Sequence, residues 1–174
     1  MVEVMVALIV LSVGLLGIAR LQSLALSSTS VASKRALAAV EAESLADAMH
    51  ENRGYWTNAD PANGTLTIQG TTVAFTSGFA AMSAAGSPLC TTSATPCTPT
   101  QVAAHDIQNW AIALQALLPT DNAIVACGTL TPVSCTITIS WAENAVAVNA
   151  QEATAEAAAQ ATMQNPTYTL YVEP

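Results

Sequence analysis

Beyond Arg53 the chain has no lysine and no arginine. Its four basic residues, Arg20, Lys34, Arg35 and Arg53, lie in the first 53 of 174 positions, beside five acids. Seven acids follow: Asp60, Asp106, Asp121, Glu143, Glu152, Glu156 and Glu173. The distal part therefore carries −7 and the N-terminal part −1 (4 − 5). This balance argues against nucleic-acid binding, because that affinity comes largely from Lys and Arg neutralising phosphate. Charged residues make up only 9% of the chain, against about a quarter in ordinary domains. Solubility of the distal part must rest on Thr, Ser, Asn and Gln, as in many secreted proteins.

The inventory for catalysis is equally thin. Only two histidines are present, His50 and His105. His105 and Asp106 are adjacent, so on a helix they point about 100° apart and do not form an orienting pair. No glycine-rich phosphate loop, nucleophile elbow or metal cluster is found. The chain is expected not to be an enzyme, with no catalytic, cofactor-binding or metal residues. Four cysteines occur as two close pairs, Cys90/Cys97 and Cys127/Cys135. Their spacings are too wide for the usual zinc knuckle. Two local disulfides in an oxidising compartment fit better than free thiols.

What the chain does have is an apolar start. Residues 4–19 contain no charge, and Glu3 stands at their head. A cleaved signal peptide needs a basic n-region and a small-residue cleavage site, and neither is present before or at Ala19-Arg20. A buried core helix would not normally open a chain and continue so far. With Met1 and Val2 the run just reaches the length of a membrane span, about 17–25 residues. A carboxylate there does not help to anchor the chain, since burying it in hydrocarbon costs several kcal/mol. Gly14 and Gly17 lie inside the run. They suit close helix–helix packing or mark a point where the helix can bend.

From Leu21 to Arg53 there is no Pro and no Gly. Leu21, Leu24, Val31, Ala38, Leu45 and Met49 recur at helical steps, with gaps at Ser28, Arg35 and Ala42. Gly54 is expected to end the helix. Three parts follow: a membrane-spanning segment over 1–20, an amphipathic continuation over 21–54, and an α+β domain over 55–174.

In that domain Thr65–Gln69, Gly70 and Thr71–Phe75 predict a hairpin. Residues 76–97 read as a Ser/Thr/Ala/Gly-rich loop. Thr98-Pro99-Thr100-Gln101 predicts a capped helix start. Ala103, Ile107, Trp110, Leu114 and Leu117/Leu118 form one apolar stripe of a helix ending before Pro119. Ala123–Cys127 and Cys135–Trp141 predict paired strands around Pro132, and Tyr168–Val172 a last strand. Residues 143–165, rich in Ala, Gln and Glu, suit a surface loop or a marginal helix. The sum is α+β: a small antiparallel sheet packed on the distal half of the long helix.

Several of these stretches resemble a known family. Glu3 followed by Val4-Met5-Val6-Ala7-Leu8-Ile9-Val10-Leu11-Ser12-Val13-Gly14-Leu15-Leu16-Gly17 is similar to the N-terminus of type IV pilins and pseudopilins. Gly14–Gln22, Glu43–Arg53, Cys97–Asp106, Trp110, Leu117-Leu118-Pro119 and Thr136–Trp141 resemble the PilV (type IV pilus modification protein) family of minor pilins. The resemblance implies a pilin-like fold and a single-pass inner-membrane protein with a periplasmic C-terminal domain, entering the pilus after assembly. It implies the major pilin and other minor pilins as partners, inner-membrane lipid before assembly, and a large tip adhesin carried by the complex. It also implies a prepilin peptidase that cuts and methylates the precursor. In the family the glutamate is the fifth mature residue, whereas here it is the third. Met1 is therefore expected to be an internal residue, with the leader and two further residues upstream. The resemblance gives Glu3 its role, pairing with the N-terminal amine of a neighbouring subunit. The alternatives are a minor pseudopilin of a type II secretion system and a single-span sensor or binding module.

Overall fold

The computed structural model describes residues 2–57, 63–85, 90, 96–118, 122–129, 132–143 and 165–174. Helix α1 runs unbroken over Val2–Glu51. Within it Lys34 and Arg35 fall in different compact units, and Arg35–Ala142 with Asn165–Pro174 make up the second of these. The second unit is α+β. After α1 come a one-turn helix α2 (Arg53–Trp56), strands β1 (Thr65–Gln69) and β2 (Thr72–Phe75), and a 3-10 turn at Ser77–Phe79. Helices α3 (Ala80–Ala85) and α4 (Pro99–Leu117) and strands β3 (Asn122–Cys127), β4 (Cys135–Ser140) and β5 (Thr167–Val172) follow.

The five strands form one antiparallel sheet in the order β2-β1-β3-β4-β5. Period-two alternation sets its faces. Leu66 and Ile68, Ala123 and Val125, and Ile137 and Ile139 are paired across the strands and point inward, each fully buried. Outward positions are uncharged, as with Thr67, Thr138 and Thr169, and the last two hydroxyls lie 3.4 Å apart. Gly70 opens the β1–β2 turn at φ +60°, a backbone that L side chains rarely adopt.

Helix α4 starts as its sequence dictates. The Thr98 hydroxyl accepts the Gln101 N–H, and the Thr98 N–H donates to the Gln101 side chain at 2.9 Å, with Pro99 in the first turn. Ile107, Trp110 and Leu114 face the core, while Leu117 is 44% exposed and Leu118 is buried. On α1 the buried face begins at Ala38 and continues through Ala42, Leu45, Ala46 and Met49. These residues share one hydrophobic cluster with α4 and the sheet's inner face. The Trp110 indole N–H donates to the Glu41 carbonyl at 2.8 Å, joining α4 to α1.

Four expectations need correcting. The amphipathic stripe starts later than periodicity predicts: Leu21 is 68% exposed and Leu24 37%, whereas Ala42, taken as a gap, is fully buried. Ala42 lies on the same buried face as Ala38, Leu45, Ala46 and Met49, and a methyl side chain can be fully buried while adding little to an apolar stripe. Gly54 does not end α1. The break comes at Asn52, at φ −106° and ψ 48°, whose side-chain amide donates to the Pro99 carbonyl at 2.8 Å, and Gly54 falls within α2. The stretch read as a loop from residue 76 holds α3, built on an alanine-rich run of high helix propensity. Phe79 and Met82 from this stretch are fully buried, and Phe79 meets Trp56 edge-on at 5.9 Å. Finally, the His105 Nδ1 lies 3.6 Å from Asp106 Oδ1, closer than adjacent helix positions suggest. The loop-or-helix question at 144–164 lies outside the described residues.

Candidate functional site

The most unusual surface of this chain is the first half of α1. An 18-residue window there has a mean hydropathy of 2.5, and none of it is buried. Val2, Leu8, Leu11, Leu16 and Leu26 are each more than 60% exposed. An uncovered apolar surface of this extent marks a site for lipid or for other chains. By length and composition the helix is fit to cross a bilayer.

Three hydroxyls along it bond back to the helix's own carbonyls. The Ser12 hydroxyl donates to the Ile9 carbonyl at 2.8 Å. Ser28 and Thr29 both donate to the Ala25 carbonyl at 2.9 Å. Such back-bonding satisfies hydroxyls where no water is present.

Glu3 is in the first turn of α1 and is exposed. Its carboxylate there meets the positive end of the helix dipole. The helix continues through Gly14 and Gly17. Among the described residues, and apart from the helix's own adjacent backbone, nothing lies within 4 Å of where a Cβ would stand at either position. At about 100° per residue, Glu3, Gly14 and Gly17 fall within about 60° of arc. The structure thus brings the carboxylate and the two smallest residues onto one face, with Leu21 in line below them. That face offers a charged head and a shallow notch where another backbone can approach closely.

The two disulfides lie in the second unit. Cys127–Cys135 joins β3 and β4 at their last paired position, with both residues buried. Cys90–Cys97 closes a span of 7 residues just ahead of α4. Elsewhere Asn109 Nδ2 lies 3.1 Å from the His105 ring nitrogens, so that imidazole is bound into the surface of α4. Among the described residues no group of three or more His, Cys, Asp or Glu is placed to hold a metal ion.

Sequence reasoning missed one feature, the burial of Glu41 at 9% exposure. Its position, three residues after Ala38 and four before Leu45, was the available signal. Comparison with protein-family models, curated proteins and solved structures finds no match to this chain.

Proposed function

We propose that this chain is a minor type IV pilin. In this reading it sits in the inner membrane through the first part of α1, with its α+β unit in the periplasm. It then joins other minor pilins in an initiation or tip complex, priming assembly of the major pilin and helping to carry a large tip adhesin. The role is structural, with no catalytic step. The observation that carries it is the uncovered apolar length of α1 with Glu3 at its head.

The physics supports a two-stage life for such a helix. In a bilayer the apolar side chains are solvated by lipid, and Glu3 reaches headgroup depth. In a bundle of helices the same surface is covered by protein, and an isolated carboxylate there costs several kcal/mol. A cation from a neighbour, such as its N-terminal amine, offsets that cost only at one register. Glu3 would thus act as an assembly and register device, with Gly14 and Gly17 allowing close approach.

The test is deletion in the native host. Fewer surface pili and lost twitching, with enzyme secretion unchanged, is the expected outcome. Normal piliation with defective secretion would overturn the reading in favour of a secretion pseudopilin.

A further inference from the structure

A groove of about 310 Å³ opens between α1 and α4 in the second unit. Glu41, Ser44 and Leu45 line one wall, and Asp106, Asn109 and Trp110 the other. Glu41 is only 9% exposed. Its main-chain carbonyl accepts the Trp110 indole N–H, but among the described residues no hydrogen bond or ion pair reaches its carboxylate. Partial desolvation of a carboxylate with no ion-pair partner disfavours its charged form. The groove holds two acids and no base, and no Lys or Arg follows Arg53 to supply one. Burial accordingly raises the pKa of Glu41.

We propose that this groove receives a lysine or arginine side chain of a different subunit packed alongside α1, ion-paired with Glu41 and Asp106. The charges are complementary. The walls suit the shape of such a residue, because Leu45 and Trp110 give its methylenes an apolar bed while the carboxylates meet its head. Both carboxylates are needed, since one pairs with the incoming charge and the second holds it against the open side. This inference rests on the chain being a subunit of an assembly and names one contact of that assembly.

A photoreactive residue placed at Ala113, on the groove's lining, tests it in the full chain within the native cell envelope. The expected product is an adduct to a different protein chain, at a peptide with a Lys or Arg within one helical turn of the linked residue. Its yield should fall about tenfold or more in Glu41→Gln/Asp106→Asn, as losing about 1.4 kcal/mol of pairing would give. Glu41→Lys combined with an acid in place of the partner's base should restore it. An unchanged near-ultraviolet circular dichroism spectrum from the buried tryptophans confirms that the double variant is folded. Adducts only to lipid, only to a second copy of this chain, or at peptides without a base would overturn the proposal. So would a yield that ignores the double variant, or no adduct at all. If Glu3 still governs entry into filaments when no adduct forms, the groove proposal falls and the assembly reading stands.

Discussion

Leu21 and Leu45 sit on one helix, and the structure predicts opposite fates for the same substitution. Leu45 is 1% exposed and packs in the core, whereas Leu21 is 68% exposed. Leu→Ala removes three carbons, worth about 2.4 kcal/mol of transfer at about 0.8 each. The cavity left in the core cluster adds to this, so Leu45→Ala should cost about 3 kcal/mol, within the range seen for buried leucines. Leu21→Ala leaves no cavity in the chain and should stay within about 0.5 kcal/mol. The assay is guanidinium unfolding of the full chain in detergent micelles, followed by tryptophan fluorescence. Trp56, Trp110 and Trp141 are all buried in the second unit, at 2%, 6% and 3% exposure, so the signal reports that unit. At about 4 kcal/mol per molar guanidinium, the Leu45→Ala midpoint should drop by about 0.7 M. Equal losses at the two sites would refute the division of α1 into an uncovered and a packed part.

The two disulfides close spans of 7 and 8 residues, for which chain entropy alone gives about 2.4 and 2.5 kcal/mol. Burial separates them: replacing Cys127 and Cys135 with alanine should cost about 4 kcal/mol, because core contacts are lost as well, and replacing Cys90 and Cys97 about 2. Matching unfolding midpoints for the two double variants would contradict this. Folding raises the pKa of Glu41 by desolvation, so the folded chain favours its protonated form. The ionised carboxylate therefore destabilises the isolated chain at neutral pH, and the penalty fades as pH falls toward and below 4.5. Glu41→Gln should raise the unfolding midpoint at neutral pH and give no gain in acid; a gain that persists in acid would show that charge is not the cause.

Much of the fold was legible because local chemistry and tertiary need agree. The Thr98–Gln101 capping box, the stripe from Ala103 to Leu114 and the alternation in Ile137 and Ile139 each state one face and one partner. The face of α1 was legible only in part. Ala42 and Ala46 carry too little hydrophobic signal to mark a stripe, yet both lie on the buried face of α1. Strand order was not readable, since β1 pairs with β3 across β2, a 3-10 turn and two helices, a long-range choice that no local pattern encodes. The turn-rich stretch after Phe75 hid Phe79 and Met82, because isolated apolar residues among Ser and Ala carry no period. Of the candidate site, Glu3, Gly14 and Gly17 stood out as exceptions within an apolar run, and their common face follows from helical spacing alone. Glu41 did not stand out, since an acid in an amphipathic helix is ordinary until its surroundings are known.

The central claim is that Glu3 serves assembly and not anchoring. The direct measurement compares Glu3→Ala with the parent chain in the native host, scoring membrane insertion by fractionation and incorporation by immunoblot of sheared pili. The account predicts normal insertion, because the apolar run of α1 is untouched, together with a loss of incorporation of about tenfold or more, as removal of one buried ion pair would give. Normal incorporation at normal piliation, or a failure of insertion itself, would contradict it.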